Sequence, residues 1–154
     1  MAIIVVSGNG IGAGKSHFAR RLDTSYVLSL AAPIRDDLAD RYPAYPWYST
    51  KQYDKALVCR ETNLTLRQMM VDYGQAKCKE DPCYFPKRLV DKVMALPHCN
   101  IAVDDLRKMC ELVYFREVFG DCLLHFHIVY PNAIPEPLYD ADELMVAADY
   151  VVTR

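Results

Sequence analysis

The stretch S-G-N-G-I-G-A-G-K-S at positions 7–16, directly after the apolar run Ile3-Ile4-Val5-Val6, constrains the fold more than any other part of the chain. A continuous β-branched run reads as a buried parallel strand rather than a half-exposed alternating one, here over Met1–Val6. Behind the glycines, Lys15–Leu22 reads as a helix with Phe18, Ala19 and Leu22 on one face. Strand, glycine turn and helix in that order make an anion cradle. Backbone N–H groups and the helix N-terminus bind anionic oxygens, a lysine reaches the outer phosphates, and a hydroxyl beside it ligates magnesium. Gly8, Gly10, Gly12, Gly14, Lys15 and Ser16 supply these parts.

The phosphate-loop pattern G-x-x-x-x-G-K-[ST] is met everywhere except at its first position, where Asn9 stands and Gly8 comes one residue early. Asparagine tolerates left-handed backbone better than most residues, so the turn is expected to survive, with Gly8 or Gly10 taking the tight bend. The alternative is a glycine-rich turn whose lysine lies in solvent.

At 154 residues, with no repeat or linker, one domain is expected, burying about two thirds of its unfolded surface. Net charge is -2, which provides no basic field for a nucleic acid polymer but leaves room for a local basic pocket. No run approaches the roughly 18–20 apolar residues of a membrane span, and no leader is visible, so a cytoplasmic location is expected. Cys59, Cys78, Cys83, Cys99, Cys110 and Cys122 fall in different expected elements without C-x-x-C spacing, which favours reduced thiols.

The rest of the chain alternates strands with helices. Strands are expected at Tyr26–Leu30, Asn100–Val103, Cys122–Tyr130 and Tyr150–Val152. Helices are expected at Ala32–Arg41 with Pro33 in its first turn, Thr65–Tyr73, Phe85–Leu96, Lys108–Phe119 and Asp140–Ala147. Thr65 is the expected N-cap of its helix and Gly74 its stop. Tyr42–Tyr53 is broken by prolines, and its five aromatics are expected mainly to pack. This alternation means an α/β fold, a mainly parallel sheet flanked by helices, and with the glycine loop behind its first strand it resembles the P-loop NTPase type, with three layers, α/β/α. Ligands of such sheets sit beyond the carboxyl ends of the strands, where the glycine loop and Asp104-Asp105 both lie.

Phosphoryl transfer needs a metal ligand and positive charge on the moving group. Asp104 is the choice for the Ser16-bound metal, Asp105 for the cap of the following helix, and Arg107 can reach a phosphate. Arg67, in the first turn of its helix, is either a phosphate ligand or a surface residue. Lys77 and Lys79 fall in an expected polar loop, a small lid-like segment around 75–85. On the strand at 122–130, Leu124, Phe126 and Ile128 are expected inside. His125 and His127 are then on a partly exposed face rather than at a metal, since no third ligand has the spacing.

These pieces resemble the deoxynucleoside monophosphate kinases encoded by bacteriophages, within the P-loop nucleoside monophosphate kinase fold. V-V-S-G-N-G-I-G-A-G-K-S is similar to their loop, and L-S-L-A-A-P-I-R-D-D-L-A to the segment after their second strand. T-L-R-Q-M-M-V-D-Y-G-Q resembles their helix with a phosphate-binding arginine. I-A-V-D-D-L-R-K-M-C-E-L resembles their strand-Asp-x-x-Arg stretch, and A-D-Y-V-V-T-R their terminal strand. Asn9 and Val71-Asp72 depart from the family pattern.

The resemblance implies ATP-dependent transfer of a phosphoryl group to a deoxynucleoside 5′-monophosphate, with ATP and Mg2+ as cofactors. Gly10, Gly12, Ala13, Gly14, Lys15, Ser16 and His17 would bind ATP, and Ser16 and Asp104 the metal. Arg35, Arg67, Gly74, Lys77 and Lys79 would hold the acceptor. Lys15, Arg67, Asp104 and Arg107 would be catalytic. It implies the host cytoplasm as location and leaves a homodimer open. Rival readings are a small P-loop kinase for a non-nucleotide acceptor, a nucleotide-binding regulatory module, for which no N-K-x-D-like motif is visible, and an inactive loop.

Overall fold

In the computed structural model, which describes residues 1–154, the apolar run becomes the middle strand of a five-stranded sheet. That strand, β1 (Ile3–Gly8), lies between β3 (Ile101–Leu106) and β4 (Leu123–Val129), with β2 (Tyr26–Ser29) and β5 (Tyr150–Thr153) at the edges. Every neighbouring pair is parallel. Parallel neighbours cannot be joined by hairpins, so helices carry the crossovers. The chain is an α/β protein with an all-parallel sheet flanked by helices. β1 runs two residues beyond the expected Val6, because Ser7 and Gly8 still pair with β4.

Ile4 and Val6 pack toward α1 (Lys15–Arg21) with Phe18, Ala19, Leu22, Ala102, Ile128 and Val152. Ile3, Val5 and Ser7 alternate onto the opposite face and are also fully buried. There α6 (Met109–Phe119) packs against β4 and α7 (Ala141–Ala147) against β1, with Leu112, Phe115 and Leu144 buried. Burying a large apolar side chain is worth about 1.5–3 kcal/mol. Helices of seven residues are unstable alone, so this packing rather than propensity holds α1 and α7.

With both faces covered, Ile128 is buried as expected but the histidine face of β4 is not exposed. His125 and His127 are fully buried, whereas Leu124 and Phe126 are only partly so. The cost of burying two imidazoles is partly offset by hydrogen bonds that one ring nitrogen of each shares with the Ser7 hydroxyl, while His125 Nδ1 and His127 Nε2 have no partner.

The chain forms two compact units, Met1–Leu30 with Pro86–Arg154, and Ala31–Phe85. The first carries the whole sheet. The second contains α2 (Ala32–Arg41), the short α3 (Gln52–Lys55) and α4 (Leu66–Glu80). Its core joins Leu38, Trp47, Cys59, Leu66 and Met69, with Tyr42 and Tyr45 packed against it. The Trp47 indole N–H donates to the Tyr42 carbonyl at 2.7 Å. Three of the five aromatics thus pack as expected, while Tyr48 and Tyr53 are exposed.

Thr65 caps α4 as expected, its hydroxyl accepting from the Gln68 N–H at 3.1 Å. The helix then passes through Gly74 to Glu80 instead of stopping. A glycine stop needs left-handed backbone, and Gly74 does not have it. Its missing side chain serves packing, since a Cβ there would lie 3.1 Å from Ile34 Cδ1. Lys77 and Lys79 therefore stand on the last turns of a helix, not in the lid-like loop expected at 75–85. Lys77 lies over the rings of Tyr73 and Tyr84 and 3.6 Å from Glu80. α5 (Tyr84–Ala95) follows after one turn. No disulfide joins any of the six cysteines, and no helix is long and apolar enough to cross a membrane.

Candidate functional site

The loop between β1 and α1 takes its shape from three glycines. Gly10, Gly12 and Gly14 have φ of 157°, 81° and 89°. Asn9 does not adopt positive φ, so its value to the loop is not conformational. Its amide instead grips the chain beyond β4: Asn9 Nδ2 donates to the Tyr130 carbonyl at 3.0 Å, and the Tyr130 N–H donates to Asn9 Oδ1 at 3.1 Å. Gly10 takes the tight bend, where a Cβ would lie 2.2 Å from the Ile134 carbonyl oxygen. One residue on, Ile11 and Ile134 exchange two backbone hydrogen bonds at 2.8 and 2.9 Å. The residues 130–134 are thus stitched along the outside of the loop.

Gly14 is the N-cap of α1, and the first intrahelical bond runs from the Phe18 N–H to its carbonyl at 2.9 Å. The N–H groups of Lys15, Ser16 and His17 precede that ladder, which suits them to an anion. Ala13 is buried and accepts a hydrogen bond from Arg154 Nη1 on its carbonyl at 3.5 Å. His17 and Arg154, with Phe18, Arg21 and Leu22, line a shallow cavity of about 290 Å³ beside the loop.

Lys15 is buried, not solvent-exposed. Its ammonium donates to the Gly10 carbonyl at 3.3 Å, lies 3.8 Å from Asp105 Oδ1, and sits 4.7 Å from the centre of the Tyr139 ring. Burial lowers its pKa, and Asp105 opposes that shift. Arg107 binds the same Asp105 carboxylate and lies 5.2 Å from the same ring. Burial and then Asp105 push the Tyr139 hydroxyl up to about 12, so it stays protonated.

Asp105 reaches this position through a kink in β3. The register runs Val5 to Val103 and then Ser7 to Leu106, so β3 holds one residue more than β1 over this span. Asp105 has φ 67°, a left-handed conformation that Asp adopts more readily than most residues. Neighbouring carboxylates, which a regular strand would send to opposite faces, are thereby given different partners at one strand end. Asp104 is buried, the neighbouring Ser16 and Ser29 hydroxyls favour its charged form, and its Oδ1 has no hydrogen-bond partner. Burial raises its pKa, against the effect of the Ser16 hydroxyl.

Asp105 does not cap α6, as expected of it. The N-cap there is Lys108, and Glu111 turns back to accept from the Arg107 and Lys108 N–H groups at 2.9 and 3.0 Å. Asp140 accepts from the Met109 N–H at 2.8 Å.

Under β1 and β4, Ser7 Oγ lies 2.7 Å from His125 Nε2 and 2.8 Å from His127 Nδ1. Burial lowers the pKa of both imidazoles, His125 to about 4, with Lys15 adding to the effect on His127. No group of three or more Cys, His, Asp or Glu residues capable of holding a metal ion accompanies them.

In the second unit, Arg67 Nη2 donates to Gln52 Oε1, tying α4 to α3. Arg35 on α2 has a buried Nε without a partner. Lys55, which sequence reasoning missed, is half-buried there; burial lowers its pKa, and the charges of Arg35 and Arg67 lower it further. Arg35 and Arg67 therefore share a neighbourhood with a third cation. Gly74 serves the packing of α2 and α4, and Lys77 and Lys79 stand at the far end of α4.

Of the expected residues, the structure brings together Lys15, Ser16, Asp104 and Arg107 in the first unit, and Arg35 and Arg67 in the second. Asp105 in its pairing role, Tyr139 and Lys55 were not found from the sequence. Tyr139 lies in a stretch that carries no periodic signal, and only a motif contact could have marked it. No protein-family model matches the chain, and no curated protein matches it either.

Proposed function

We propose that the chain is an ATP-dependent P-loop kinase that moves the γ-phosphoryl group of ATP to a deoxynucleoside 5′-monophosphate, giving ADP and the diphosphate. The observation that carries this reading is the convergence of Lys15, Ser16, Asp104 and Arg107 where β1 and β3 end beside the glycine loop. Loop and α1 N–H groups would hold the donor's phosphates, and Lys15 would reach the outer ones. The unpartnered Oδ1 of Asp104, beside the Ser16 hydroxyl, suits a hard cation that prefers oxygen. Ser16 and Asp104 would hold Mg2+, which when bound neutralises phosphate charge.

The acceptor assignment draws on the family resemblance and on Arg35, Arg67 and Lys55, whose charges favour a phosphate dianion. An acceptor phosphate is already ionised, so its oxygen needs no general base. It forms the new P–O bond as the bond to the β–γ bridging oxygen breaks. The chain's part is to hold both phosphates and cancel charge. A coupled assay for ADP across deoxynucleoside, ribonucleoside and non-nucleotide acceptors tests the reading. Turnover that depends on a deoxynucleoside monophosphate is expected. ADP release confined to non-nucleotide acceptors, or none at all, would overturn it.

A further inference from the structure

We propose that Tyr139 is a positioning residue for Lys15 and Arg107, holding both cations at the phosphate loop without using up their N–H donors. One ring meets two cations: the Lys15 ammonium at 4.7 Å and the Arg107 guanidinium at 5.2 Å from its centre. Two like charges placed this closely repel, and Asp105 is the carboxylate that pairs with both. A carboxylate, however, occupies the very donors that phosphate oxygens would need. A π face attracts a cation through its quadrupole and leaves the N–H groups available.

The ring cannot easily drift from this place. The Tyr139 N–H donates to the Glu136 carbonyl at 3.0 Å. Next to it, the Asp140 N–H donates to the Arg107 carbonyl and Asp140 Oδ2 accepts from the Met109 N–H, both at 2.8 Å. Upstream, Ile134 is bridged to Ile11 of the loop. Tyr139 is thus fixed to the loop on one side and to the start of α6 on the other, the two segments that deliver its cations. Aromatic and aliphatic residues of equal size differ here, because only the former has a face for both charges.

This inference rests on the phosphate-loop reading, and its test separates the two. Binding of inorganic tripolyphosphate is measured by calorimetry for the wild type, Tyr139→Leu and Tyr139→Phe, beside turnover with ATP and a deoxynucleoside monophosphate. Tyr139→Leu is expected to weaken tripolyphosphate binding roughly tenfold, the scale of a cation–π loss at a desolvated site, and Tyr139→Phe to restore it. In proton NMR, the Lys15 ε-methylene should show an upfield ring-current shift that Phe keeps and Leu removes. Unweakened binding in Tyr139→Leu overturns the inference, as does an unshifted Lys15 resonance in the wild type, which needs no variant to fold. A wild type that fails to bind tripolyphosphate overturns both the inference and the loop reading. Binding that follows the ring, without transfer to any nucleotide, upholds Tyr139 and removes the kinase assignment.

Discussion

Asn9 and Tyr130 are joined by two reciprocal hydrogen bonds, amide to carbonyl and backbone N–H to amide oxygen, so that the first turn of the loop is sewn to the chain leaving β4. The Asn9 N–H adds a third bond, to the Ile128 carbonyl at 3.1 Å. The residue that breaks the loop pattern is therefore a structural tie.

Asn9→Gly, which restores the usual pattern, should consequently harm the protein. It deletes two side-chain hydrogen bonds worth about 0.5–1.5 kcal/mol each and loosens the backbone. Urea unfolding should show a loss of roughly 1–3 kcal/mol. Equal or greater stability would mean that the tie contributes nothing.

Lys15→Met should separate chemistry from folding. Turnover should fall by about two orders of magnitude or more, the usual scale for removing a preorganised charge. The melting temperature should hold, because burial disfavours the ammonium and an apolar chain of similar length fills its place. Full turnover in this variant would contradict the assigned role of the loop.

Arg67→Ala should raise KM for the monophosphate and lower kcat, with KM for ATP unchanged. Steady-state kinetics in both substrates checks this; identical constants would return Arg67 to a surface tie with Gln52.

Gly74→Ala tests whether α4 really continues. In a helix interior alanine is favoured by about 0.5–1 kcal/mol. The only close neighbour, Ile34 Cδ1 at 3.1 Å, is a side-chain end that can yield. A small gain in thermal stability is expected. A helix stop at this position would give a loss instead.

His125 makes stability depend on pH. Its pKa is about 4 in the folded protein against an ordinary value near 6.5, so between these values the unfolded chain binds more protons. Its contribution is complete above pH 6.5 and is lost as pH falls toward 4, by at most about 1.4 kcal/mol per pH unit. Asp104 and Glu111, whose pKa values are raised by burial, act in the opposite sense. The imidazole's share therefore emerges as the difference in denaturation midpoints between wild type and His125→Gln across this window. Parallel curves would sink the claim.

How much of this was legible in the sequence depends on how local the cause was. The order of elements, the Thr65 cap and the loop between β1 and α1 followed from short-range patterns. Gly74 misled because a glycine after a helical run signals a stop only if its backbone turns left-handed, and here the helix continues through it to Glu80. The histidines misled because alternation shows that a strand has two faces but not how many are covered. Lys55 was missed because Arg35 and Arg67 stand twenty and twelve residues away from it. Tyr139 was missed because its partners, Lys15 and Arg107, belong to distant segments.

The extra residue in β3 has a consequence for anyone redesigning this sheet. Removing Asp104 or Asp105 would restore an even ladder between Val103 and Leu106, and by the usual criteria of strand geometry the result would look improved. The repaired strand would offer a single carboxylate where two are now shared out, one to the serine hydroxyls and one to the cations. The irregularity makes room for two adjacent acids with separate duties at one strand end, where the even ladder would hold only one.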